Sequence, residues 1–205
     1  FRFTVDNLNA RYGSASVRGS FMLNNLKRPH VTLILDGDLN FDDLDKIFRS
    51  DFIRDQTGSL AGSIRLSGTI PDSISPAAAL QYLKPEISLS FREFGATFSE
   101  RGVAFSDVNG MLAIKNDLVA DNLSFTFMDQ HITVNALMRN FIPWASGAGE
   151  ILDVSGTVHA DRLVTATFAP GKTDGPEGEG KPANLFPADV YAAVTLKADS
   201  LIYKN

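Results

Sequence analysis

LILDGDLNFDDL at residues 33–44 is the first of three related segments in this chain. LDVSGTVHADRL at 152–163 and VYAAVTLKADSL at 190–201 align with it without gaps. In each copy apolar residues alternate with polar ones, and the copy ends in Asp-x-Leu. Such alternation predicts an extended strand with one apolar and one polar face. A chain that repeats strands of this kind is predicted to build one long sheet.

The same alternation continues between the copies. Residues 60–70 carry leucine, isoleucine or glycine at every even position, and comparable runs occur at 15–24, 87–92, 119–127 and 132–138. Turn residues separate the runs, so the pattern predicts about ten or more antiparallel strands. Asn109-Gly110 fits either a hairpin turn or a glycine inside a strand, and both interpretations stay open.

Two segments depart from the strand pattern and predict short helices. Asp43 to Arg54 carries apolar residues at spacings of three and four. A second helix is predicted from Ser75-Pro76 to about Leu83, with serine as the cap and proline in the first turn. Trp144 is interpreted as an anchor in the core or at an edge. The predicted fold is therefore mainly β: a long antiparallel curled sheet with an open groove and two short helices.

The composition limits the classes of function. With 19 basic and 24 acidic residues the net charge is −5, and no basic run with interleaved aromatics is present, so we expect no nucleic acid partner. The absence of cysteine excludes disulfides, thiolate metal sites and a cysteine nucleophile. The chain begins and ends inside strand patterns. We expect residues 1–205 to be one β-rich domain, a fragment of a longer protein, with a disordered loop at 171–184.

Two motifs resemble ligand sites but lack what the ligand requires. Residues 166–173 match a loose phosphate-loop pattern, yet Pro170 removes a backbone donor and no helix can follow, so we expect a solvated loop and no nucleotide. Residues 36–42 resemble the start of a calcium loop. Phe41 and Ile47 occupy the positions that need glycine and glutamate, so a strand with a polar face explains the segment better.

The titratable residues form no recognisable catalytic group in the sequence. His30, His131 and His159 fall on separate predicted strands without a ligand-spaced neighbour, and no nucleophile-elbow sequence is present. We therefore expect no catalytic residues, no metal site and no cofactor, and a protein that is not an enzyme.

Several segments resemble the AsmA-like proteins of Gram-negative envelopes in their glycines and in their alternation of apolar and polar residues. The segments are GSLAGSIRLSG at 58–68, VNGMLAI at 108–114, ITVNA at 132–136 and the C-terminal stretch 186–203. The resemblance implies a long curled sheet, open along one side, in the periplasm. It also implies an N-terminal inner-membrane helix, which we expect in the full-length protein and not within residues 1–205. Relatives in that family are thought to carry phospholipid between membranes or to support outer-membrane assembly.

The sheet prediction and the resemblance lead to one expectation, an apolar groove. A sheet that is apolar on one face must cover that face, and two short helices cover only a few strands. We expect phospholipid or another acyl-chain lipid to bind there, with other envelope proteins as further partners. The candidate groove residues are Phe21, Leu23, Leu35, Leu39, Ile64, Leu66, Ile87, Leu89, Leu123, Phe125, Val154 and Val158.

A closed arrangement is the alternative, because the same alternation would arise in it. In a β-sandwich or solenoid the apolar faces pack on each other. Such a protein would serve as a scaffold or adhesion module without a lipid ligand.

Overall fold

The computed structural model of the chain describes residues 1–44, 53–71, 75–98, 103–164 and 189–202. Ten strands in these ranges form a single sheet whose spatial order follows the chain. The strands are β1 (Arg2–Tyr12), β2 (Ala15–Asn24), β3 (His30–Asn40), β4 (Ile53–Thr69), β5 (Glu86–Phe98), β6 (Val103–Ile114), β7 (Leu118–Phe127), β8 (Gln130–Arg139), β9 (Leu152–Val164) and β10 (Val190–Ile202). The helices are α1 (Phe41–Leu44), α2 (Pro76–Leu83) and α3 (Phe141–Ala145).

The sheet is open, because β1 and β10 lie at opposite edges. This arrangement confirms the prediction of a mainly β chain built as one long sheet. The described strands form no second sheet, so the alternative of two packed sheets is not the observed fold.

The last pair of strands differs from the others. Neighbours from β1 to β9 are antiparallel, as predicted, whereas β10 is parallel to β9. A parallel pair needs a connection of about a dozen residues or more, and residues 165–189 separate these two strands. The second and third copies of the repeated segment pair residue for residue, with Leu152 opposite Val190 and Leu163 opposite Leu201. The second and third copies of the repeat therefore lie side by side in the sheet, with equivalent residues paired.

The helices agree with the sequence in part. α2 is confirmed: the Ser75 hydroxyl accepts a hydrogen bond from the Ala78 backbone N–H at 3.2 Å, and Pro76 occupies the first turn. The first predicted helix is wrong at its end, because Ile53 and Arg54 lie in β4, where Ile53 pairs with Phe98. Residues 45–52 of that prediction, like the predicted loops at 166–173 and 171–184, lie outside the described residues.

α3 was not predicted, so the described residues hold three helices rather than two. It spans a single turn and contains Pro143, which leaves no helical periodicity to detect. Trp144 lies in it and donates a hydrogen bond from its indole N–H to the Asp189 carboxylate at 2.8 Å. Of the two interpretations of Asn109-Gly110, the structure has the one inside a strand, since both residues belong to β6.

A band of β-bulges crosses the middle strands. The pairing register shifts in β4, β5, β6 and β7 beside residues of positive φ, namely Asp55, Glu93, Asp107 and Asn122. A bulge places an extra residue on one strand, bends that strand and increases its twist. Bending at bulges on successive strands is therefore a local mechanism that could produce the predicted curl of the sheet.

Asparagine side chains hold two of these bulges. The Asn109 amide oxygen accepts a hydrogen bond from the Glu93 backbone N–H at 3.0 Å, and Asn135 binds the Asn122 N–H in the same way at 2.9 Å. The Asn109 amide nitrogen also donates to the Asp107 carbonyl at 2.9 Å. Asn109 thus connects the bulge of its own strand with that of β5.

We predict that Asn109→Ala lowers the free energy of unfolding by about 1–2 kcal/mol, because two backbone groups in the bulges lose their partner. Asn9→Ala on the exposed edge strand β1 is the matched control and should change it by less than about 0.5 kcal/mol. Urea unfolding monitored by circular dichroism measures both. Equal midpoints for the two variants would show that the bulges do not depend on this side chain.

Candidate functional site

Strand pairing brings the apolar side chains into rows that cross the sheet. Residues directly opposite each other on neighbouring strands point to the same face. One such row consists of Leu35, Ile64, Ile87, Ile114, Leu118, Met138 and Val154, on β3 to β9 in turn. The row contains no polar residue. One face of the sheet is thus continuously apolar from β3 to β9, and we call it the apolar face.

All of the candidate residues from the sequence lie on the apolar face. The register places Phe21 and Leu23, Leu35 and Leu39, Ile64 and Leu66, Ile87 and Leu89, Leu123 and Phe125, and Val154 and Val158 there. Each of these side chains is half-buried. Half-burial is what a single layer provides, since a second layer would bury such residues. Their role in binding stays a prediction.

A subset of the candidates surrounds a cavity of about 140 Å³ on this face. It is lined by Val17, Leu35, Gly37, Leu39, Leu60, Gly62, Ile64 and Leu89. Gly37 and Gly62 are cross-strand partners at its centre, and their missing side chains leave the hollow between the leucines. Val154 and Val158 lie several strands away on β9 and do not contribute to the hollow.

Phenylalanines cover the other part of the face. Phe105 lies with its ring centroid 5.5 Å from that of Phe125 and 5.1 Å from that of Phe127. A second group joins Phe94 to Phe41 at 5.2 Å and to Phe91 at 5.7 Å. Only Phe125 was among the predicted groove residues. The signal for the others is the composition, with 15 Phe against 4 Tyr and 1 Trp.

Two helices cover the part of one end of the apolar face that lies beside β4. The Tyr82 carbonyl at the end of α2 lies against Gly68, a residue of this face, and a Cβ there would collide with it. The Gln81 amide donates a hydrogen bond to the Ser146 hydroxyl at 2.6 Å, which joins α2 to the segment after α3. Ile142 of α3 is buried. The helices therefore cover part of one end of the sheet and leave its middle strands open.

The opposite face, which we call the polar face, carries cross-strand ion pairs together with the exposed apolar residues Ile34, Met111 and Val119. The ion pairs are Arg65–Asp36 at 3.7 Å, Lys115–Glu86 at 2.8 Å, Arg139–Asp153 at 3.1 Å and His159–Asp199 at 2.9 Å. The hydrogen bond from Lys115 lowers the pKa of Glu86, and the same bond raises the pKa of Lys115. Both groups are exposed, so the pair adds little stability. These charges keep this face in water.

A depression of about 520 Å³ also lies on the polar face. Arg65, Glu86 and Lys115 are among the residues that line it. It is larger than the apolar hollow, but Glu86 and Lys115 at its margin bind each other. We therefore place the candidate functional site on the apolar face.

Comparisons with known proteins identify no relative. No protein family, no curated protein and no solved structure matches this chain. Within the described ranges, no group of three or more His, Asp or Glu side chains is placed to hold a metal ion. Nor does any helix in those ranges have the length and apolar character needed to cross a membrane. The resemblance to AsmA-like proteins stays a prediction.

We predict different responses of the folding stability to alanine at the two glycines of the hollow. A Cβ at Gly62 would collide with the Ser88 carbonyl, whereas a Cβ at Gly37 would lie 3.4 Å from the nearest atom, the Ser16 carbonyl oxygen. Gly62→Ala should lower the free energy of unfolding by about 1–3 kcal/mol. Gly37→Ala should stay within about 1 kcal/mol of the parent chain. Denaturant unfolding distinguishes them, and a Gly62→Ala variant as stable as Gly37→Ala would contradict this close packing of β4 on β5.

Proposed function

We propose that the chain binds the acyl chains of phospholipid along its apolar face, as a non-enzymatic segment of an envelope protein. The observation that carries the proposal is the continuous apolar face from β3 to β9, half-buried and without a second sheet over it in the described ranges. Soluble proteins rarely expose an apolar patch of more than a few hundred Å² unless something binds it. A lipid tail is a ligand that needs no polar partner on such a face.

The dimensions of the face suit a lipid tail. The row from Leu35 to Val154 crosses β3 to β9, and six strand spacings of about 4.8 Å amount to about 29 Å. One leaflet of a bilayer core is about 15 Å thick. A tail laid across the strands therefore fits within the row.

The energetics favour passage rather than tight retention. Removing each CH₂ from water is worth about 0.8 kcal/mol, so a tail of ~16 carbons gains on the order of 13 kcal/mol relative to water. Relative to a bilayer interior the transfer is nearly neutral, because both surroundings are apolar. The headgroup stays in water at the open side. Lipid could then move along the face without a deep energy minimum.

The cellular setting of the proposal comes from the sequence resemblance. We propose a periplasmic location, with the full-length protein anchored in the inner membrane by an N-terminal helix. The segment would transfer phospholipid between membranes or support outer-membrane assembly. A scaffold or adhesion module is the competing function, and it would cover the same face with a protein partner.

The matched pair Leu89→Asp and Ser90→Asp tests lipid binding. Leu89 lines the hollow, whereas Ser90 is exposed on the polar face one residue further along β5. We expect phospholipid to copurify with the parent chain and with Ser90→Asp, and to fall by about tenfold or more in Leu89→Asp, because a carboxylate on the apolar face opposes an acyl chain. Native mass spectrometry with lipid extraction, on samples prepared without detergent, gives the measurement.

A second pair, Phe125→Asp and Ser124→Asp, repeats the comparison on β7 among the phenylalanines. Circular dichroism and the urea midpoint establish that each variant is folded before its lipid content is compared. Folded Leu89→Asp and Phe125→Asp variants that carry as much phospholipid as the parent would overturn the proposal. If the parent chain is purified without bound lipid and does not take up added phospholipid, the result would favour the scaffold or adhesion function.

A further inference from the structure

One corner of the sheet combines exposed apolar side chains with unpaired positive charge. It consists of residues 1–3 at the start of β1 and residues 24–30 in the turn between β2 and β3, and we call it the basic corner. Leu26 is 63% exposed and Phe3 is 49% exposed. Lys27 and Arg28 beside Leu26 are exposed as well.

Hydrogen bonds hold the corner in shape. The Asn25 backbone N–H donates to the Phe1 carbonyl at 2.9 Å, which ties the turn to β1. The Lys27 backbone N–H donates to the Asn25 side-chain oxygen at 3.1 Å, which closes the turn locally. The exposed position of Leu26 is therefore set by the backbone of the turn.

The charge of the corner is opposite to that of the whole chain. Residues 1–3 and 24–30 contain Arg2, Lys27 and Arg28 and no carboxylate, although the chain carries −5 overall. Within the part of the chain that the structure describes, Lys27 and Arg28 enter no ion pair. Cations that are left unpaired beside exposed apolar side chains match the surface of an anionic bilayer. Phosphate groups there attract the cations, and leucine or phenylalanine enters the boundary of the acyl region.

We propose that the basic corner docks the chain on an anionic phospholipid bilayer. Leu26 and Phe3 enter the interface, and Lys27 and Arg28 lie among the headgroup phosphates. Phe3 is opposite Leu23, a residue of the apolar face, so the docked corner is continuous with that face. The corner also lies at the sheet end where His30 meets Thr69 and α2 follows β4. Docking would bring that end of the sheet to the membrane, whether or not the apolar face carries lipid.

Vesicle cosedimentation tests the docking. The probes are vesicles of phosphatidylglycerol with phosphatidylcholine, and vesicles of phosphatidylcholine alone. We expect the parent chain to bind the anionic vesicles, to bind the neutral ones more weakly, and to dissociate as salt is raised. The double variant K27E/R28E should bind the anionic vesicles about tenfold or more weakly, since each cation near such a surface contributes to the attraction.

The matched control is R92E/K197E, which changes the net charge by the same amount at exposed positions away from the corner. It should bind within about twofold of the parent, because screening confines the attraction to charges close to the surface. A parent chain without preference for anionic vesicles would overturn the proposal. Equal losses in the two double variants would also overturn it, since net charge alone would then explain the binding.

Leu26→Trp supplies a direct readout of insertion. The new indole should shift its emission to the blue on addition of anionic vesicles, and no shift would contradict entry of the turn into the interface. Leu89→Asp separates this site from the apolar face. It should retain vesicle binding while losing copurified lipid, and K27E/R28E should retain copurified lipid.

Discussion

The hydrogen-bond register between neighbouring strands is the constraint on which this structure depends. Side chains alternate along a strand, so a slip of one residue would move a whole strand's apolar set to the polar face. The register keeps Leu35 on β3, Ile64 on β4 and Ile87 on β5 in one line. Because the described ranges hold a single sheet and only short helices, alignment in this line is the main way in which these apolar residues are removed from water together.

The bulges are compatible with that register because they occur on successive strands. Phe91 and Phe94 are three residues apart, which strict alternation would place on opposite faces, yet their rings lie 5.7 Å apart. The extra residue, with Glu93 at φ 50°, restores the phase. Ala120 and Leu123 on β7 are related in the same way across Asn122. Bulges on successive strands bend the sheet, and no second sheet in the described ranges covers the apolar face. This open face underlies the proposed lipid binding.

The two proposals depend on different interactions, apolar contacts in one and charge in the other, at different parts of the sheet. The hollow at Gly37 and Gly62 is lined only by apolar residues. The basic corner is exposed and depends on charge, so salt should weaken docking while leaving the affinity of the hollow for an acyl chain nearly unchanged. Continuity between Phe3 and Leu23 would let lipid pass from one to the other.

The sequence by itself determined the strands and their apolar faces, because period-two alternation is a local property that needs no knowledge of the partner strand. It placed every candidate groove residue on one face, from Phe21 to Val158, and it marked α2 through Ser75 and Pro76. Breaks in the alternation, such as the three-residue spacing from Phe91 to Phe94, mark the positions of bulges. The strand patterns alone did not predict these bulges.

Only the tertiary structure decided which strands are neighbours, that β10 runs parallel to β9, and that α3 exists. It also decided that Gly37 lies opposite Gly62 to form the hollow, and that phenylalanines distant in the chain meet in pairs, Phe41 with Phe94 and Phe105 with Phe125. These features arise from contacts between residues far apart in the chain. Their energies depend on register, bulges and packing between strands, and a pattern within one strand carries no information about its partner.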